Sequence, residues 1–170
     1  GGGGPKDVIF VLDDSGSMRN GRIETCKRCI QTQVLDKRMQ PADQVALLML
    51  NRTDNDVPLG KFNGDHQQRM RSAVGSARAG GSTPLWETVQ KAVNMAKHKQ
   101  NAWIVALTDG HAGNPGLAQS IGQQLRTAAC KNVRVLFITV NLSSQYEGVI
   151  KQTCIREKGD ALISANGGLD

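Results

Sequence analysis

Three oxygen-bearing side chains stand at alternate positions directly after an apolar run near the start of the chain. Asp13, Ser15 and Ser17 follow the apolar residues 8–12, and Gly16 separates the two serines. One carboxylate and two hydroxyls are hard ligands that suit Mg²⁺ before Ca²⁺, and the absence of His and Cys from this segment argues against zinc. Alone the segment is a weak signal, because Asp and Ser are common turn residues.

Two later segments supply oxygen ligands of the same kind. Thr83 lies in the Gly-rich stretch 80–84, where it is the expected N-cap of a helix that begins at Pro84. Asp109 follows a second apolar run, residues 104–107. Short apolar runs of this kind are typical of buried parallel strands, and open α/β sheets place their ligands at the carboxyl ends of such strands. We therefore expect the three segments to converge.

On these residues the chain resembles the von Willebrand factor type A (vWA) domain, whose metal-ion-dependent adhesion site has the pattern Asp-x-Ser-x-Ser, then Thr, then Asp. The resemblance implies an Mg²⁺ site, with Mn²⁺ or Ca²⁺ as alternatives, that is formed by Asp13, Ser15, Ser17, Thr83 and Asp109. It also implies that the hydroxyls contact the ion directly, the threonine in one conformation only, whereas the aspartates act largely through water. The ion then keeps a position for a Glu or Asp side chain of a partner protein, and metal-dependent protein binding follows.

Two other interpretations of these residues remain open. One is an Mg²⁺-dependent phosphotransferase or hydrolase with Asp13 as nucleophile, but Ser15 stands where that chemistry needs a second acid. The other is a vWA scaffold with a relic site that binds no metal. Neither Asp14, interpreted as a solvated acid or as one that supports the ligands without binding the ion, nor His111, interpreted as an exposed loop residue, is expected to be a ligand. We expect a binding module and not an enzyme.

The alternation of apolar and amphipathic segments predicts an α/β fold. It indicates a doubly wound, mostly parallel, Rossmann-like sheet of about six strands with one short antiparallel edge strand at 57–62 and helices on both faces. The predicted strands are 8–12, 44–50, 57–62, 102–107, 134–140 and 161–164, and the predicted helices are 21–39, 65–74, 84–99, 115–129 and 145–157. Residues 1–5 are expected to be a linker or an expression remnant, 6–166 one domain excised from a longer protein, and 167–170 a tail.

Relatives in the vWA family have a final helix after the last strand, and only residues 165–170 follow it here. Every strand of such a sheet is normally covered on both faces. We therefore expect an apolar strip beside the 21–39 helix, near the last strand. A second copy, a neighbouring domain or the segment 164–170 should cover it.

Composition narrows the list of partners. The 21 Lys and Arg against 15 Asp and Glu give a net charge of +6, but the charges are scattered, and three Phe, two Trp and one Tyr offer little for base stacking. No nucleic-acid partner is therefore expected. No apolar run approaches the ~18 residues that a membrane-spanning helix needs.

The four cysteines are expected to be structural. Cys26 and Cys29 have the spacing of a zinc or redox pair, but both fall on the apolar stripe of the 21–39 helix, where Cys packs as a small hydrophobic residue. Right-handed crossovers should place Cys130 and Cys154 on the other face of the sheet. Buried cysteines without a disulfide framework favour a cytoplasmic location.

Overall fold

Six strands form one sheet in the computed structural model, which describes residues 4–167. The strand order is β3-β2-β1-β4-β5-β6, and every neighbouring pair is parallel except β2 and β3. The predicted fold class is confirmed, including the antiparallel edge strand. The strands are β1 (Asp7–Leu12), β2 (Gln44–Met49), β3 (Val57–Lys61), β4 (Ala102–Thr108), β5 (Val133–Thr139) and β6 (Ala161–Ser164).

Five helices cover the two faces of this sheet. The described helices are α1 (Arg22–Arg28), α2 (Gly64–Ser76), α3 (Leu85–Ala96), α4 (Pro115–Leu125) and α5 (Ser144–Lys151). Buried side chains of α1 and α2 join one apolar cluster, and those of α3, α4 and α5 join the other. β1 contributes to both clusters, Val8 and Phe10 to the first and Ile9 and Val11 to the second, because successive strand residues point to opposite faces. This burial makes β1 the centre of the fold.

The first helix differs from the prediction in its form and its length. α1 continues directly into a π-helical segment, Cys29–Leu35, so the helical chain ends four residues before Met39. Within it the backbone N–H of Asp36 donates to the carbonyl of Gln31 at 3.0 Å, which is the i to i+5 spacing of a π-helix. A sequence pattern of apolar residues at i+3 and i+4 does not predict this wider turn.

The predictions for the last two helices were too long at their carboxyl ends. α4 ends at Leu125 and α5 at Lys151. After each helix a threonine hydroxyl donates to a carbonyl of the last turn, Thr127 to Gln124 at 2.6 Å and Thr153 to Ile150 at 2.7 Å. Such bonds satisfy carbonyl groups that lack a partner within the helix.

All four cysteines are free thiols, and they lie where the prediction placed them. Cys26 and Cys29 belong to the apolar cluster on the α1 face, whereas Cys130 and Cys154 pack on the opposite face. Burial raises the pKa of Cys26, and it raises the pKa of Cys154 to about 11. A zinc site formed by all four is excluded, because the sheet separates the two pairs.

An apolar groove of about 580 Å³ lies on the α1 face beside β6, where we predicted an uncovered strip. Its apolar walls include Val34, Trp103, Leu136 and Ile163. What covers the groove stays a prediction, and most of the tail expected at 167–170 lies outside the described residues. Within residues 4–167, no helix is long and apolar enough to cross a membrane.

Candidate metal centre

Two aspartates lie at the carboxyl ends of the neighbouring parallel strands β1 and β4. Asp13 follows β1, Asp109 follows β4, and both are completely buried. The backbone N–H of Asp13 donates to the carbonyl of Leu107 at 2.9 Å, so the pairing of the two strands extends into the loop. The sheet itself therefore brings the two carboxylates together.

Asp13 is held by two hydrogen bonds. Its Oδ1 accepts from the backbone N–H of Ser15 at 2.9 Å, and its Oδ2 accepts from the hydroxyl of Thr108 at 2.6 Å. The Thr108 hydroxyl also accepts from the backbone N–H of Gly110 at 2.9 Å. Thr108 was not predicted to be a site residue, although its position immediately before Asp109 was a usable signal.

The two serine hydroxyls of the first loop are neighbours. Ser15 Oγ and Ser17 Oγ are 3.2 Å apart, and a short 3₁₀ turn over Gly16–Met18 brings them to the same side. Ser15 is buried, whereas Ser17 is partly exposed. The predicted hydroxyl pair thus lies above the buried Asp13, with one member facing the outside.

Asp109 is paired with a cation that the sequence analysis did not single out. The guanidinium of Arg22, in the first turn of α1, donates to Asp109 Oδ2 at 3.3 Å and to the carbonyl of Ser17 at 3.1 Å. Asp109 Oδ1 accepts from the backbone N–H of His111 at 3.0 Å. The Arg22 side chain is 33% exposed, so this charge lies at the rim of the site.

The site is short of positive charge. Burial raises the pKa of Asp13, and the nearby negative charge of Asp109 acts in the same direction, whereas the bonds from Ser15 and Thr108 oppose the rise. Burial of a carboxylate without a full counter-charge is unfavourable. A bound cation would offset this cost.

Of the two roles predicted for Asp14, a solvated acid or one that supports the ligands, the structure excludes the first. Asp14 is fully buried, and its carboxylate accepts from the backbone N–H groups of Asn51 at 2.9 Å and Arg52 at 3.0 Å. Its own carbonyl accepts from the backbone N–H of Gly80 at 2.8 Å. The side chain turns inward because the end of β2 presents two N–H groups that need an acceptor.

Thr83 lies in the second loop, which is bound to the first. Besides the Gly80 bond, the N–H of Gly16 donates to the carbonyl of Gly81 at 3.0 Å. Thr83 is partly buried and does not cap α3 as predicted. Pro84 is the capping residue, because its ψ of 58° is not helical and the helix begins one residue later.

A groove of about 610 Å³ begins at Thr83. His111 and Tyr146 line it, and their rings are 4.5 Å apart between centroids. His111 is exposed, as we predicted. The groove connects the predicted metal site with the surface of α5.

The donor set suits a hard cation. Asp13, Asp109, Ser15 and Ser17 lie in one hydrogen-bonded cluster, and Thr83 stands on the adjoining loop. Oxygen ligands of this kind fit Mg²⁺, Mn²⁺ or Ca²⁺. Residues 4–167 contain no group of three or more His, Cys, Asp or Glu that could hold a metal ion, and a set of two carboxylates and three hydroxyls is not such a group. The metal-binding role of the five residues stays a prediction.

Comparison with known families identifies the class of domain. The family model of the von Willebrand factor type A domain matches residues 7–161, and the chain therefore belongs to that family. Domains of this family are generally non-enzymatic modules that mediate protein interactions. No curated protein matches the sequence significantly.

Solved structures of low sequence identity share the fold. The SpRpn10 VWA domain superposes with a TM-score of 0.67 at 16% identity, over 94% of this chain and 87% of that one. A von Willebrand factor type A protein from Catenulispora acidiphila has a TM-score of 0.62 at 18% identity, over 88% of this chain and 37% of that one. An aerotolerance-related membrane protein from Bacteroides fragilis has a TM-score of 0.59 at 16% identity, over 96% and 91%.

Proposed function

We propose that this domain binds a partner protein through a divalent cation, most favourably Mg²⁺, at the carboxyl ends of β1 and β4. The observation that carries the proposal is the cluster of two fully buried carboxylates, Asp13 and Asp109, beside the paired hydroxyls of Ser15 and Ser17. The cost of burying both charges is offset when a cation binds.

Each residue has a separate role in this proposal. Ser15 and Ser17 supply hydroxyl oxygens to the ion, and Thr83 supplies a third in the ligand-binding arrangement. Asp13 and Asp109 balance the charge, and their hydrogen bonds to Thr108 and His111 hold them in place. The ion, when bound, supplies a position for a carboxylate oxygen of the partner.

The charge around the site favours an acidic partner segment. Arg19 is exposed directly after the first loop, and its guanidinium nitrogen would lie 3.2 Å from a Cβ on Gly16. Arg22 is half-exposed at the same rim. Together with the net charge of +6, these residues attract a segment that carries Glu or Asp, because complementary charge accelerates encounter.

The experiment is a thermal unfolding series in Mg²⁺, Mn²⁺ and EDTA, with the wild type and two serine variants. A ligand that binds only the folded state raises stability by about 2.7 kcal/mol at 100 times its Kd, and about 2–4 °C in Tm per kcal/mol is expected at this chain length. Ser17→Ala should reduce the rise. Ser120→Ala, which removes a similarly exposed hydroxyl from α4, should leave it unchanged. A wild type that melts identically in all three solutions would overturn the proposal and favour a scaffold with a relic site.

A further inference from the structure

The side chain of Asn51 joins the two loops of the proposed metal centre. Its Nδ2 donates to Asp14 Oδ1 at 3.1 Å and to the carbonyl of Ser82 at 2.7 Å. Its Oδ1 accepts from the backbone N–H of Ser82 at 3.1 Å and from the Ser82 hydroxyl at 3.2 Å. An amide has two donor hydrogens and one oxygen with two lone pairs. All four are used, and all four bonds go to Asp14 and Ser82.

The carboxylate of Asp14 holds the Asn51 amide in place. The buried carboxylate also accepts from the backbone N–H groups of Asn51 and Arg52, so the end of β2 is tied to the end of β1. Gly81 lets the second loop come close, because its φ is +109° and a Cβ there would lie 2.7 Å from the Asn51 side chain. Glycine alone adopts such a φ without strain.

The bond to the Ser82 carbonyl bears directly on Thr83. That carbonyl belongs to the peptide group between Ser82 and Thr83, which is planar. Asn51 thus holds the peptide group before Ser82 through its N–H and the peptide group after Ser82 through its carbonyl. These two contacts restrict the position of the Thr83 Cα relative to β1. Ser82 is exposed, so water can satisfy the same groups when Asn51 is absent. The bonds between Asn51 and Ser82 therefore contribute little to the free energy of unfolding. The larger effect of these bonds is on the position of Thr83.

We propose that Asn51, anchored on Asp14, is a positioning residue that sets Thr83 at the metal centre. This inference rests on the proposed function. Replacing a supporting partner at a metal site typically lowers metal affinity about 10–100-fold, and we expect the lower end for Asn51→Ala, because Ser15 and Ser17 remain. In Asn51→Ala the position of Thr83 should change, whereas the first loop should keep its structure.

The test is Mn²⁺ titration of the protein with its threonine methyl groups observed by NMR. Bound Mn²⁺ broadens nearby signals, and the effect falls steeply with distance. In the wild type the Thr83 methyl should broaden strongly. In Asn51→Ala this broadening should be weaker at equal Mn²⁺ occupancy, while the methyl of Thr108, whose hydroxyl bonds to Asp13, broadens as before. Asn55→Ala is the matched control, because Asn55 bonds to the carbonyl of Ala73 at 2.8 Å and not to either loop.

Each outcome decides one of the two proposals. If the wild type binds no Mn²⁺, the proposed function fails. If it binds Mn²⁺ but Thr83 is not broadened, or is broadened equally in Asn51→Ala, the positioning role of Asn51 is wrong while metal binding stands. Asn51→Asp provides a second variant of the same size. Asn51→Asp keeps the bonds from the N–H and the hydroxyl of Ser82, but a carboxylate has no N–H to donate to Asp14 or to the Ser82 carbonyl. The Thr83 broadening should therefore be weaker in Asn51→Asp as well, whereas Asn55→Ala should behave like the wild type.

Discussion

Replacement of Arg22 by glutamine should tighten metal binding. Arg22 holds a positive charge 3.3 Å from Asp109 Oδ2 and 3.1 Å from the carbonyl of Ser17. A divalent ion bound by Asp109 would be repelled by this charge. Arg22→Gln removes the charge and keeps an N–H donor at the end of a shorter side chain.

The size of the effect follows from the exposure of the guanidinium. Two unit charges 4 Å apart interact by about 1 kcal/mol in water and by about 4 kcal/mol near a protein surface. Because the Arg22 side chain is 33% exposed, the lower figure applies. A divalent ion carries two charges, so removal of the Arg22 charge should strengthen binding by about twice that figure, about 2 kcal/mol, or about 30-fold in Kd.

The assay is calorimetric titration with Mn²⁺ at two ionic strengths. Arg22→Lys keeps the charge and should bind Mn²⁺ like the wild type. Arg28→Gln removes an exposed charge from the same helix and should change little. The gain in Arg22→Gln should shrink in high salt, because salt screens partly exposed charges.

Two results would refute this reasoning. If Arg22→Gln binds Mn²⁺ more weakly than the wild type, Arg22 orients Asp109 and does not compete with the ion. If Arg22→Lys and Arg22→Gln gain equally, the effect comes from the lost hydrogen bonds and not from the charge.

Three further predictions concern partner binding, acid stability and the cysteines. Thr83→Ala should weaken binding of a carboxylate-bearing partner while the free energy of unfolding in urea changes by less than about 0.5 kcal/mol, as is usual for surface substitutions; a loss like that of a core truncation would contradict this. For Asp43, burial raises the pKa, but the bonds from Lys6 and from the Gln40 backbone outweigh it and the pKa is lowered. The resulting stability should be complete above pH ~4 and lost as the pH falls further, and urea unfolding of Asp43→Asn should show a flatter acid limb. Cys154, with its thiol pKa raised to about 11, should react slowly with a thiol reagent at pH 8 and rapidly once urea unfolds the protein.

The strands were predictable because each is a short apolar run with a polar boundary. The predicted strand 8–12 is β1 less one residue, and 161–164 is β6 itself. The convergence of Asp13 and Asp109 followed from the same logic, since both come directly after buried parallel strands. Apolar runs were enough to predict the strands and the two aspartates, because parallel strands bring their carboxyl ends to the same edge of the sheet.

The missed features depend on groups that are distant in the sequence. Asp14 is buried because the N–H groups of Asn51 and Arg52, in the segment after β2, donate to it, and no pattern around residue 14 predicts these bonds. Arg22 was not singled out from the sequence, although its place in the first turn of α1 puts it beside Asp109. The π-helical segment Cys29–Leu35 likewise leaves no signal in apolar spacing.

The two edges of the sheet limit how this domain can meet other chains. The ladder between β2 and β3 is irregular between Val45 and Leu47, and β3 contains Pro58, which has no N–H to donate. The opposite edge, β6, is only four residues long. Short or interrupted edges resist pairing with an added strand. An extended peptide thus finds little backbone to align with, and addition of a strand from another chain is disfavoured at both edges of the sheet.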